Sequence, residues 1–153
     1  MNAVELLKGD HQKVSDLFER VKATEDAKKH ARLFEQIQNE LDTHSHIEET
    51  ILYPALKEHE ELKDITLEAY EEHKQIKTLI REIERLADGS ERFDAKLKVL
   101  GENVEHHVEE EENEMFPKIQ RLFSNEELDQ MGRELEAAKK GLGKKPRAHS
   151  TSV

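Results

Sequence analysis

The stretch HSHIEETILYP at residues 44–54 decides the fold, because it returns in kind as HVEEEENEMFP at residues 107–117. Both read HxxxE and then an aromatic residue followed by proline. His44, Glu48 and Pro54 each recur 63 positions later, at His107, Glu111 and Pro117. A lone histidine precedes each stretch, His11 before the first and His73 before the second, 62 positions apart. Residues at i and i+4 stack on one helical face, so each HxxxE pair aims an imidazole and a carboxylate at one point. Four histidines and two glutamates in two registered copies are the inventory of a two-metal carboxylate site inside a helical bundle.

The surrounding segments have helical periodicity. Val4, Leu7, His11, Val14, Phe18 and Val21 step by three and four, the stripe of an amphipathic helix with His11 inside it. A second helix is expected from about Lys28 to about Glu58, with Phe34, Ile37, Leu41, His44, Glu48, Ile51 and Ala55 on its stripe. A third, from about Leu62 to about Ala87, places His73 inward beside Ala69 and Ile76. The turn Asp88-Gly89-Ser90 then leads to a fourth, from about Arg92 to about Phe123, capped by Ser90 or Asp94, with His107, Glu111 and Met115 or Glu114 inward. Ser124 and Glu127 form a capping box for a short fifth helix, NEELDQMGRELEAAKK.

Short connections favour antiparallel neighbours, so the expected fold is all-α: an up-down-up-down four-helix bundle over residues 1–140, with the short C-terminal helix and a flexible basic tail at 141–153. His149, in that tail, is a poor ligand candidate. Pro54 and Pro117 each deny an amide to the carbonyl four residues back, so a kink or early end is expected just past each ligand-candidate glutamate.

Composition narrows the function classes. A net charge of −11 argues against a nucleic-acid or anionic-membrane surface, which needs clustered Lys and Arg. No apolar run reaches membrane-spanning length, and MNAVELLKGDH lacks a signal-peptide apolar segment, so the default expectation is a cytoplasmic protein. There are no cysteines, which removes thiolate metal sites, iron–sulfur clusters and thiol nucleophiles. Any metal is therefore held by nitrogen and oxygen.

Six ionisable side chains assigned to the interior need neutralising, since an unpaired buried charge costs several kcal/mol. Imidazole–carboxylate hydrogen bonding is one solution and leaves spare donors and acceptors. Two cations are a more complete one. The simplest allocation puts His11 and His44 on one ion and His73 and His107 on the other, with Glu48 and Glu111 bridging, though spacing alone does not say which glutamate binds which ion. Imidazole and carboxylate suit iron or manganese, and zinc also fits these donors.

Taken together, GDHQKVSDLF, LDTHSHIEETILYPAL, EEHKQIKTLI and VEHHVEEEENEMFPKI resemble the hemerythrin-like, or HHE cation-binding, family over roughly residues 3–123. The resemblance implies a four-helix bundle around a non-haem di-iron centre, oxo- or hydroxo-bridged, that reacts with O2, NO or peroxide. It passes the ligand roles to His11, His44, Glu48, His73, His107 and Glu111. Oxygen carriers of the family place a second histidine four after the third-helix histidine, where this chain has Lys77. They also use HxxxxD on the last helix, where this chain has HxxxE and Glu112 stands five after His107. The pattern looks more like the four-His, two-Glu relatives, which favours redox or peroxide chemistry over reversible oxygen carriage.

Three functions follow as alternatives. One is an oxygen-reactive di-iron protein for sensing, carriage or sequestration, another a catalase-like peroxide-decomposing enzyme, and the last a metal-free helical interaction module. Surface positions are expected for His46 and His106, and solvated or capping ones for His30 and His59. Glu72, beside His73, is expected to face water, with a hydrogen bond to a ligand-candidate histidine as its alternative. Tyr70 is expected to pack in the core, with a phenol ligand role or a hydrogen bond to a bound oxygen species as its alternative, and Tyr53 to sit at the bundle end.

Overall fold

Helices begin where side chains satisfy the first free amides. Asn2 accepts a hydrogen bond from the Glu5 amide while Glu5 accepts one from the Asn2 amide, a capping box that starts α1, Ala3–Lys22. Asp26 accepts from the amides of Lys28 and Lys29 and starts α2, Ala27–Ile47. The computed structural model describes residues 1–144. Its further elements are a π-helical turn Glu48–Leu52, α3 (Tyr53–Leu56), α4 (Glu60–Glu84), α5 (Glu91–Glu110), a second π turn Glu111–Met115, α6 (Phe116–Leu122) and α7 (Asn125–Lys144). Among the described residues there is no strand.

The chain is all-α, with α1, α2, α4 and α5 forming the expected up-down-up-down bundle. Ser90 caps α5 by accepting from the Phe93 amide at 3.2 Å, and Gly89 takes a left-handed φ of 69° that a side chain would strain. Asp94, the other candidate cap, instead accepts from His30. That histidine is buried rather than solvated: Nδ1 lies 2.9 Å from Asp94 Oδ1, and Nε2 lies 2.6 and 3.1 Å from the carbonyls of Thr24 and Val21. Burial works against its imidazolium, but Asp94 and the two carbonyls outweigh it and raise its pKa.

The Ser124–Glu127 capping box is present, with both reciprocal bonds formed. The helix it opens is longer than expected, at 20 residues, and carries helical structure through 141–144. The remainder of the expected tail, with His149, lies outside the described residues. α7 packs along α1 through Leu128, Met131 and Leu135. Gly132 makes the crossing possible, since a Cβ there would stand 2.4 Å from the Met1 carbonyl oxygen.

The hydrophobic core is divided in two. One cluster gathers Leu7, Ile47, Leu52, Tyr53, Leu56, Phe116 and the α7 leucines; the other gathers Val14, Phe34, Ile37, Leu41, Ile76, Phe93 and Val104. Each fully buried aliphatic side chain contributes about 1.5–3 kcal/mol. Between the clusters lies a polar layer made of the six expected residues: His11, His44, Glu48, His73, His107 and Glu111.

Candidate metal centre

Each glutamate of the two HxxxE pairs is the first residue of a π turn, where the amide five residues on bonds its carbonyl: Tyr53 to Glu48, and Phe116 to Glu111. In an α-helix the fifth residue lies roughly 140° round from the first. In a π turn it lies nearly above it. Tyr53 is thereby carried onto the face of Glu48, and Phe116 onto that of Glu111. The kink expected from Pro54 and Pro117 takes this form, and it moves the buried stripe by a residue: Leu52, Tyr53 and Leu56 are buried, while Ile51 and Ala55 are only partly so. Met115, not Glu114, is the inward residue of the second arm.

All six residues meet in one layer, each at most 7% exposed. His11 Nε2 is 3.0 Å from Glu111 Oε1, and His44 Nε2 is 3.3 Å from Glu48 Oε2. On the other side His73 Nε2 is 3.1 Å from Glu48 Oε1, and His107 Nε2 is 3.3 Å from Glu111 Oε2. The ligand atoms fall into two groups, His11, His44, Glu48, Glu111 and Glu48, His73, His107, Glu111, each within 4.8 Å. Both glutamates belong to both groups.

A second ring of carboxylates surrounds the four imidazoles. His11 Nδ1 meets Glu112 at 2.7 Å, His44 Nδ1 meets Asp10 at 3.0 Å, His73 Nδ1 meets Glu49 at 2.7 Å, and His107 Nδ1 meets Glu72 at 2.6 Å. The arrangement follows the sequence repeat. Asp10 and Glu72 each precede the lone histidine of their copy and bind the HxxxE histidine of that same copy. Glu49 and Glu112 each follow the HxxxE glutamate and bind the lone histidine of the other copy. Lys139 of α7 pairs with Asp10, and Lys77 reaches Glu49 at 3.1 Å.

Burial opposes the charge on His44, His73 and His107, yet the neighbouring carboxylates, chiefly Glu48 and Glu111, outweigh it and raise all three pKa values. Burial pushes both glutamates up, and the Glu111 charge adds to this at Glu48, but the imidazoles hold both below the usual carboxylate range. The Tyr53 hydroxyl donates to Glu111 Oε2 at 2.7 Å, with Glu48 Oε1 at 3.1 Å and His73 Nε2 at 3.2 Å. Burial and both carboxylates push its pKa well up, which keeps it a proton donor in the metal-free chain.

The donor set fits a metal pair on three grounds. His44 Nε2 and Glu48 Oε2 are buried, face the same point and have no hydrogen-bond partner. His73 Nε2 and His107 Nε2 stand 3.2 Å apart. With each Nδ1–H committed to a carboxylate, their two lone pairs face one another and need a cation or a proton between them. An imidazole fixed by an outer carboxylate, with its other nitrogen directed inward, is the usual arrangement of a metal-bound histidine.

Several participants were not legible in the sequence. Tyr53 enters the site through the π turn, which a helical period does not anticipate. Tyr70 packs edge-on against the Tyr53 ring at 5.1 Å, in keeping with its core role. Glu72 takes its alternative role as an acceptor rather than facing water, and serves His107 across the helix pair instead of its neighbour His73. Asp10, Glu49 and Glu112 carried one signal only, their position next to an expected ligand. His106 and His46 are exposed as expected, and the His59 ring rests on Phe123 at 4.6 Å.

The hemerythrin HHE cation-binding domain model matches residues 2–119. A DNA nickase from Nostoc sp. is 32% identical over 139 residues, covering 91% of this chain and 39% of that protein. A hemerythrin-like protein from Schizosaccharomyces pombe is 28% identical over 133 residues, covering 86% of this chain and 66% of that protein. The chain thus spans less than two thirds of either relative. The crystal structure of a hemerythrin HHE cation-binding domain-containing protein from Mycobacterium kansasii superposes with a TM-score of 0.80 at 26% identity, covering 99% of this chain and 98% of that one. With its matched residues spanning all four bundle helices and its fold shared with that solved structure, this chain belongs to the hemerythrin HHE cation-binding family.

Proposed function

We propose that this chain is a non-haem di-iron protein that binds and reacts with O2, NO or peroxide. His11 and His44 hold one ion, His73 and His107 hold the other, and Glu48 and Glu111 are shared; manganese and zinc fit the same donors. One observation carries this reading: four Nδ1 atoms bonded to four outer carboxylates, with the four Nε2 atoms and two glutamates gathered into two overlapping groups. When bound, the metal pair supplies redox chemistry and Lewis-acid binding of small ligands.

The chain's own groups set the conditions for that chemistry. Asp10, Glu49, Glu72 and Glu112 accept from the four Nδ1–H groups, which leaves Nε2 as the nitrogen that a metal would take from each imidazole. The Tyr53 hydroxyl places one proton between the shared carboxylates. Val14, Leu41, Ile76, Val104 and Val108 wall the opposite side of the histidine layer with apolar surface, which limits water there.

Nicking of DNA is attributed to the Nostoc relative. For this chain we favour a small-molecule partner, because a net charge of −11 opposes a phosphate backbone. No helix among the described residues is long and apolar enough to cross a membrane, and a cytoplasmic location is part of the same proposal.

The test is elemental analysis of protein purified without added metal, with its visible spectrum in air. About two irons per chain is the expected result. Absence of metal, with stability indifferent to added iron, would sink the proposal and leave a helical interaction module. Sustained oxygen release from hydrogen peroxide would mark a peroxide-decomposing enzyme, and a stoichiometric, reversible spectral change a binding protein.

A further inference from the structure

The six-residue layer has two unlike sides. Below it stand Tyr53, Phe116 and the α7-bearing core, closely packed. Above it lies a cavity of about 20 Å³ touched by all four histidines, and a single water needs only roughly 10–15 Å³. The other walls of this cavity are five aliphatic side chains together with Asp10 and Ser45. A far larger groove, about 600 Å³ and open to solvent, runs along the seam between α1 and α5. The two spaces share four lining residues: His11, Val14, Val104 and Val108.

The α1–α5 seam is one of two loosely packed seams of the bundle, the other lying between α2 and α4. α1 packs extensively on α2 and α7, and α4 on α5, whereas α1 and α5 touch only slightly. Gly101 of α5 faces the Phe18 ring of α1, and a Cβ there would stand 3.1 Å from that ring, so a side chain at this position would press on Phe18 at the groove wall. Val14 and Val104 are 4% and 5% exposed and Val108 is partly buried, and with His11 these three side chains line both groove and cavity.

We propose that exogenous ligands reach the metal centre through the α1–α5 seam, and that Val14, Val104 and Val108 form a dry gate that admits neutral diatomic molecules in preference to peroxide. The inference rests on the di-iron reading above. Its chemistry follows from the three valines. A neutral diatomic molecule has few hydrogen bonds to lose on passing between three isopropyl groups, whereas peroxide must shed hydrating water with little to replace it. The charged rim carries both signs with acidic groups in excess, Glu19, Asp94, Glu102 and Glu105 against Lys22, Lys98 and the His30 paired with Asp94, and so gives no attraction for anions.

Two measurements test this. On the metal-free full chain, methyl NMR under xenon pressure reads the route without any reaction: Val14, Val104 and Val108 methyls are expected to shift, and Val104→Phe is expected to abolish the response. On reduced, iron-loaded protein, stopped-flow NO binding is expected to speed up in Val108→Ala and slow in Val104→Phe, by about tenfold in association. Dissociation should change by the same factor, leaving affinity and iron content unchanged. Xenon shifts confined to other methyls, or NO rates unchanged in Val108→Ala, overturn the gate. If wild-type iron-loaded protein takes up no NO, the di-iron reading fails instead, and the xenon result alone decides the route.

Discussion

Tyr53 and Phe116 occupy equivalent places in the two copies, yet only one carries a hydroxyl. Phe116 lies parallel to the His11 ring at 5.9 Å, while Tyr53 puts its oxygen among Glu48, Glu111 and His73. The repeat is therefore chemically unequal at its centre. In the metal-free chain this hydroxyl is a buried donor to Glu111, and removing it leaves a carboxylate oxygen less satisfied, at a cost of about 1–3 kcal/mol. Urea denaturation of metal-free Tyr53→Phe should show a loss of that size, while Tyr70→Phe, on the half-buried neighbour, should unfold near the wild-type midpoint. Equal midpoints for wild type and Tyr53→Phe would mean that the hydroxyl bonds contribute nothing. His11, His44, Glu48, His73, His107 and Glu111 could be read from the chain because each sits on its own helix's stripe at a spacing of three or four. Asp10, Glu49 and Glu112 could not, and Glu72 only as an alternative, because each stands beside a stripe and meets its histidine only by reaching another helix.

At the scale of elements, the two π turns and α7 do what the four straight helices alone do not. A continuous α-helix from Lys28 to Glu58 would have put Ile51 and Ala55 inward and Tyr53 aside; the widened turn at Glu48–Leu52 reverses this. The prolines signalled a disturbance in the sequence but not its kind, since a kink, a helix end and a π turn all accommodate a missing amide. α7 lies beyond the matched family segment, which ends at residue 119, yet its Lys139 holds Asp10, and Asp10 holds His44. Asp10 is buried, which raises its pKa, but His44 and Lys139 outweigh that and keep it ionised. In Lys139→Met the carboxylate loses its lysine and steers His44 less firmly. Loss of a metal ion to a competing chelator should then be faster by about tenfold, the lower end for partners outside the ligand shell. Lys139→Arg should restore most of the retention. A wild-type chelation rate in Lys139→Met would reduce α7 to a packing element.

On the scale of the whole molecule, the polar layer ties stability to pH and metal together. In the metal-free chain the pKa values of His44, His73 and His107 are raised from an ordinary value of 6.5, so their stabilising contribution is complete below 6.5 and is lost as pH rises through the raised values. Glu48 and Glu111 are lowered from 4.5, so theirs is complete above 4.5 and is lost as pH falls through the lowered values. The metal-free bundle should therefore be most stable between about 4.5 and 6.5 and weaken above that window. On the proposed site, metal ions would take the same Nε2 atoms in their neutral form, so loading would displace protons and remove the cause of the high-pH decline. The gap in Tm between metal-loaded and metal-free protein should accordingly widen from pH 6 to pH 8, and calorimetric titration with the metal in buffers of different ionisation enthalpy should register proton release near pH 6.5. A gap that stays constant or narrows over this range, with no protons released, would mean that the metal binds somewhere other than these imidazoles.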